Sequence, residues 1–289
     1  MTAGSPPAPL PARFARLVKV EHTVFALPFA YVGAFLAVHG TPSGHDLLWI
    51  TLAMVGARSL AMALNRLIDA GIDARNPRTA GRELPSGQLS VAQVFVFCAV
   101  SLALFLVAVW ELDPLVRWLW PIPVVGFVVY PYLKRFTWLC HFWLGAVDGL
   151  APVGAWVAIT GRLPGQAWTL GAAVALWVAG FDLFYALFDE EVDRREGLHS
   201  IVTRFGVAGA FLGARVAHLA TVACLVAAGL GLPVGALYWL GVAAVASLLA
   251  YEHSLVRPSD LRRLDTAFFT MNGVISVVFA AFVIVDAAL

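Results

Sequence analysis

Long apolar runs and short polar loops alternate along the whole chain. Nine runs can be drawn, near residues 20–39, 47–68, 91–110, 115–133, 137–159, 166–188, 207–229, 232–252 and 265–287. Most approach the roughly 20 residues that a helix needs to cross a bilayer. The pattern predicts an all-α integral membrane protein with nine transmembrane helices. The weakest separations, Leu112 to Leu115 and Gly229 to Gly235, require very tight connections. Residues 1–12 are rich in Pro and Ala and are expected to form a disordered tail, leaving 13–289 as a single transmembrane domain. A cleavable signal peptide is not expected. Arg13, Arg16 and Lys19 precede an apolar run that ends near Val38 and is itself long enough to span.

The polar positions set an orientation. Fifteen of the 19 Lys and Arg residues fall on one side. They are Arg13, Arg16 and Lys19; Arg66, Arg75, Arg78 and Arg82; Lys134 and Arg135; Arg194, Arg195 and Arg204; and Arg257, Arg262 and Arg263. The opposite loops hold only Arg117 and Arg162. The positive-inside rule then places the N-terminus in the cytoplasm and the C-terminus outside. Composition agrees: 61% of residues are hydrophobic and 13% charged, against about 25% charged in soluble domains. Mean hydropathy is +0.83. The lipid bilayer is the expected surrounding, and no nucleic-acid partner is expected. Cys98, Cys140 and Cys224 stand singly in apolar stretches, which points to neither a disulfide framework nor a zinc site.

Two acidic segments break this pattern on the cytoplasmic side. In the first, Asn65, Asp69 and Asp73 are spaced i, i+4, i+8 and line one stripe of a helix. Arg58 lies two turns deeper on the same face. A lone mid-membrane arginine costs at least ~2.5–3.5 kcal/mol on insertion scales, so it must face a cavity or a partner. In the second, Asp182, Tyr185, Asp189 and Asp193 share a stripe. Each segment contains Asp-x-x-x-Asp, with its carboxylates about 6 Å apart along the axis. Such acids are tolerable beside hydrocarbon when cations sit between them. The bland alternative is solvated loop acids, but two matched pairs backed by Asp182 and Arg58 argue against it. Mg²⁺ prefers oxygen ligands and typically takes one or two carboxylates plus substrate phosphates. Lys134 and Arg135 end the fourth run on the same side and offer cations for a diphosphate, with Tyr130 as a hydrogen-bond donor. Positive-inside anchoring alone would also account for Lys134 and Arg135.

Asn65-x-x-x-Asp69-x-x-x-Asp73, Tyr130-Pro131-Tyr132-Leu133-Lys134-Arg135 and Asp189-x-x-x-Asp193 together resemble the UbiA superfamily of intramembrane aromatic prenyltransferases. The resemblance runs from about residue 13 to 287. It implies a nine-helix bundle with a central cavity open to the cytoplasmic side, in a membrane of bacterial plasma-membrane type. Its implied chemistry is Mg²⁺-dependent transfer of a polyprenyl group from a polyprenyl diphosphate to a ring carbon of an aromatic acid acceptor. Asn65, Asp69, Asp73, Asp182, Asp189 and Asp193 would hold metal, with the four Asp of the paired motifs and Lys134 catalytic. Arg58, Asn65, Tyr130, Arg135, Asp148, Asp182, Tyr185 and Arg204 would bind substrate. Arg66 stands where many members carry Asp, off the metal-facing stripe. The loops, including Asn76-Pro77-Arg78-Thr79, Arg82-Glu83-Leu84-Pro85 and Leu198-His199-Ser200-Ile201, look more like the futalosine-route menaquinone branch, whose acceptor is a dihydroxynaphthoate. Val202 departs from the Pro expected there. The alternative acceptor is 4-hydroxybenzoate, as in ubiquinone synthesis.

Asp148 either pairs with Arg58 or touches the acceptor. Asn272 is read as an interhelical hydrogen bond, and His199 as the only histidine near the site. The rival class is a transporter, with Asp182, Asp148 and Arg58 as an ion path. It would spread polar residues through the bilayer depth, whereas these acids cluster on one side beside basic loops.

Overall fold

The computed structural model describes residues 9–19, 23–258, 261, 264 and 270–289. The regular elements described are helices: α1 (Leu10–Val18), α2 (Thr23–Val38), α3 (Gly44–Asp73), α4 (Val91–Trp110), α5 (Val116–Leu119), α6 (Pro121–Leu133), α7 (Cys140–Thr160), α8 (Gly165–Tyr185), a 3₁₀ turn (Ala186–Asp189), α9 (Glu190–Arg195), α10 (Ile201–Leu230), α11 (Ala236–Leu255) and α12 (Asn272–Ala288). Within the described residues the apolar runs fall on helices, the fourth on two, α5 and α6, so the expected count of nine is not reproduced one for one. Among the described residues, six segments are long and apolar enough to cross a membrane: 44–73, 91–110, 116–133, 140–160, 165–195 and 201–230. Residues 26–38 and 272–288 form shorter apolar helices. Residues 20–22, the start of the first expected run, Arg262, Arg263 and 265–269, the start of the ninth, lie outside the described residues, as do 1–8 of the expected tail.

Helix α1 begins at Leu10, within the last residues of the expected tail. Those residues are helical because α1 has an apolar face to bury. Leu17 is fully buried, and Phe14 stacks on Phe97 with centroids 4.7 Å apart. Arg16 reaches Glu83 at 3.3 Å and Arg13 donates to the Gln88 carbonyl at 2.9 Å, fastening α1 to the loop before α4.

Local sequence explains several ends. Ser43 caps α3 by accepting the Asp46 N–H, and Ser90 with Gln93 forms a capping box on α4. Pro121 opens α6, where its missing N–H costs nothing. Close crossings then fix the bundle. A Cβ on Gly145 of α7 would lie 2.1 Å from the Ala175 carbonyl of α8, and one on Gly33 of α2 would lie 2.4 Å from the Pro152 carbonyl of α7. Small residues here let backbones touch, as membrane helix packing favours. The Trp177 indole donates to Asn272 Oδ1 at 2.8 Å, the interhelical bond expected of Asn272. The outer faces are apolar, with Phe95, Val100, Trp118 and Leu219 all exposed. Exposed apolar surface on this scale suits lipid contact.

The second acidic segment is not one continuous helix. The α-helix stops at Tyr185, tightens into the 3₁₀ turn, and restarts as α9. The first segment, by contrast, is the last part of the unbroken 30-residue α3.

Candidate active site

The ends of α3 and α8 face one another across a polar cavity, with the end of α6 beside them. Arg58, Asn65, Asp69, Asp73, Tyr130, Lys134, Asp148, Asp182, Tyr185, Asp189 and Asp193 all line it. The two acidic segments are therefore brought to one place, although more than 100 residues separate them.

The cavity carboxylates take protein cations as partners. Asp69 is 3.1 Å from Lys134 Nζ and 3.3 Å from Arg135 Nη2, and Asn65 donates to it at 3.5 Å. Asp73 accepts Arg82 Nη1 on both oxygens at 2.7 Å. Asp189 accepts Asn76 Nδ2 at 2.9 Å and a two-pronged bond from Arg78, Nε at 3.0 Å and Nη2 on the other oxygen. Arg78 also donates to the Tyr185 hydroxyl at 2.6 Å and lies over its ring. Burial alone would lower the Arg78 pKa, but its bonds to Asp189 and Tyr185 hold it above the ordinary arginine value. Among the described residues, no three His, Cys, Asp or Glu side chains converge as a metal cage. Lys and Arg side chains thus lie against the acids. A carboxylate only 3–5% exposed must be compensated, and these side chains are the nearest positive charges.

Several expectations need correction. Arg204 is exposed, with its guanidinium 5.9 Å from the Phe205 ring, and does not line the cavity. The Ser200–Thr203 capping box starts α10 at Ile201 and leaves Arg204 in the first turn, on its outer face. Arg135 bears on Asp69 without lining the cavity. Arg66, read as off the stripe, is 6% exposed and lines the cavity. His199 is not alone: His141 lines the cavity too, with Nδ1 2.7 Å from Asp182 Oδ2. Asp182 thus has a protein partner on Oδ2. Of the two roles open for Asp148, the structure shows the pairing, with Arg58 Nη1 at 3.8 Å.

Asn76, Arg78, Arg82 and His141 were not read as site residues. The first three sit in a loop whose charges were assigned to topology, although the motif quoted from that loop contains them. Nothing in the sequence signals His141, a single histidine at the start of an apolar helix.

Beyond Arg58 and Asp148 the cavity gives way to an apolar one, walled by Ile50, Met54, Phe105 and Val109 among others. The two share Ala26, Arg58, Ala61, Phe127, Val147 and Asp148. A charged compartment thus adjoins a hydrocarbon-like one.

Comparison with known proteins agrees with this arrangement. The chain is 31% identical over 248 residues to a 4-hydroxybenzoate octaprenyltransferase of Aliivibrio fischeri, covering 86% of each. It is 31% identical over 288 residues to one of Aromatoleum aromaticum, covering 96% of each. Among solved structures it resembles a UbiA homolog from Aeropyrum pernix, with TM-score 0.84, 33% identity, and 92% of this chain and 98% of that one covered. A UbiA homolog from Archaeoglobus fulgidus bound to GPP and Mg²⁺ shares the fold, with TM-score 0.74, 18% identity and 96% and 100% coverage. The UbiA prenyltransferase family profile matches residues 26–274, which include both acidic segments and every helix from α3 to α11. The chain belongs to the UbiA prenyltransferase family, and the transporter reading is set aside.

Proposed function

We propose that this prenyltransferase moves a polyprenyl group from a polyprenyl diphosphate to a ring carbon of a hydroxylated aromatic acid, using Mg²⁺. The observation that carries the reading is the junction of the two cavities. One end holds carboxylates and cations suited to a metal–diphosphate head, and the other is apolar enough for an isoprenoid chain. The donor set fits Mg²⁺: Asn65, Asp69, Asp73, Asp189 and Asp193 supply hard oxygen ligands, and Asp182 stands behind them. Mg²⁺ held there supplies positive charge against the leaving diphosphate.

Each paired cation has a role in such a site. Lys134, Arg78 and Arg82 exchange a carboxylate partner for a phosphate oxygen when substrate enters, so the buried charge stays balanced. Tyr130 donates to the same head group. Arg58 takes the acceptor's carboxylate, with Asp148 beside it. The apolar walls keep water from the reactive allylic carbon. The C–O bond to diphosphate breaks with its electron pair, a C–C bond forms at the ring, and the ring proton leaves.

The relatives favour 4-hydroxybenzoate as acceptor over dihydroxynaphthoate. The naphthoate reading keeps the Asn65-Arg66 resemblance, and Arg66 lies in the cavity wall. The nine-span topology, with the site on the cytoplasmic face of a bacterial plasma membrane, completes the proposal.

The test is an assay of purified protein for Mg²⁺-dependent pyrophosphate release, with both acceptors compared by kcat/KM at one donor concentration. A higher value for 4-hydroxybenzoate supports this acceptor, and a higher value for the naphthoate transfers the enzyme to the menaquinone branch. Absence of prenylated product with either acceptor, across donors of several lengths, would overturn the reading.

A further inference from the structure

His141 is a buried cavity-wall group that the proposed chemistry leaves without a task. It is 6% exposed, at the first turn of α7. Its Nδ1 lies 2.7 Å from Asp182 Oδ2, and its Nε2 lies 3.4 Å from the Ile201 backbone nitrogen. A backbone N–H only donates, so Nε2 accepts and the ring hydrogen sits on Nδ1. His141 therefore donates to Asp182. The same region is tied down at two further points. Gly197, at φ +66°, turns the chain after α9. The His199 N–H then reaches the Lys134 carbonyl at 2.6 Å, and the Cys140 thiol lies 3.7 Å from the His199 carbonyl. The start of α7, the turn before α10 and the end of α6 are thus stitched together around Asp182 and Lys134.

We propose that His141 is a positioning residue for Asp182. By taking Oδ2 it fixes the plane of the carboxylate and directs Oδ1 toward the substrate head group. Ile201 holds the ring in the tautomer that makes this possible. The inference rests on the functional reading above, in which this cavity takes the metal–diphosphate head. Partners that orient a ligating side chain are typically worth ten- to a hundredfold in affinity or activity.

The competing role is support of the turn, through the bond to Ile201. Two substitutions separate the roles. The terminal atoms of asparagine reach about as far as Nδ1, and those of glutamine about as far as Nε2. Full-length His141→Asn and His141→Gln are compared in detergent for kcat/KM and, by calorimetry, for binding of a non-reactive prenyl thiodiphosphate with Mg²⁺. His141→Gln is expected to lose about ten- to a hundredfold in binding and His141→Asn distinctly less. In an Asp182→Asn background, His141→Gln should add little further loss, because the orientation it would spoil no longer matters. The reverse order of Asn and Gln, or losses that multiply in the double variant, would overturn the positioning role while the prenyltransferase reading stands. A wild-type protein that binds no prenyl thiodiphosphate overturns that reading and this inference with it.

Discussion

At the scale of single residues, neighbouring acids of the second segment have different fates. Asp189 is held by Asn76 and Arg78 inside the cavity, whereas Glu190 pairs with Arg194 at 3.0 Å one turn along α9. An exposed i,i+4 pair is worth only about 0.3–0.5 kcal/mol. Asp69→Ala and Asp189→Ala are accordingly expected to drop prenyl transfer to background, and Glu190→Ala to keep most of it. Near wild-type turnover in Asp69→Ala at saturating Mg²⁺ would end the site assignment. Arg58 gives a second residue-level expectation. Its planar guanidinium faces Asp148 and lines both cavities, where a lysine would offer only a point charge. Arg58→Lys should raise the acceptor KM about ten- to a hundredfold, as expected for one charge-assisted contact, with a smaller change for the prenyl diphosphate. A rise confined to the prenyl diphosphate would move Arg58 to the phosphate head.

At the scale of elements, the site depends on how closely α7 can approach α8. Asp182 and Tyr185 ride on α8, and His141 and Asp148 on α7. The two helices meet where Gly145 leaves room only for backbone, since a Cβ there would sit 2.1 Å from the Ala175 carbonyl. Gly145→Ala must push the helices apart or tilt them, because the atom it meets is main chain and cannot rotate away. Overpacking of this kind costs roughly 1–3 kcal/mol. The expected result is a lower thermal midpoint in detergent together with reduced activity, whereas an unchanged midpoint would contradict the tight crossing. The loop between α3 and α4 acts as an element too. Through Asn76, Arg78 and the Arg75–Glu196 pair at 2.6 Å, it binds the first half of the chain to the second at the cavity mouth.

At the scale of the whole molecule, the proposed topology puts the cavity mouth on the cytoplasmic side, as the positive-inside rule expects of its basic loops. Gly81 reports on that side, being exposed with open space where a Cβ would stand. A cysteine introduced there, with Cys98, Cys140 and Cys224 replaced, should react with an impermeant thiol reagent in inverted vesicles and not in intact cells. Labelling from outside intact cells would reverse the topology, and with it access to cytoplasmic prenyl diphosphates.

Apolar runs alone located the long helices, though not α1 or α9, because a segment in lipid must satisfy its backbone internally and a helix does so with its own residues. Helical spacing likewise put Asn65, Asp69 and Asp73 on one stripe of α3, since that geometry is local. What neighbours a side chain across the bundle is not local. The 3₁₀ turn at 186–189, the pairing of Asp73 with Arg82 and of Asp189 with Arg78, and the contact of His141 with Asp182 arise only once α3, α6, α7 and α8 have packed. Arg204 shows the same limit in reverse: the family resemblance implied a substrate-binding role, but the capping box that starts α10 leaves it exposed. The sequence determined the class of fold and the oxygen-rich stripe of α3. Tertiary packing decided which charge compensates which, because a buried carboxylate such as Asp69 or Asp73 is stabilised by whichever cation the bundle brings within reach.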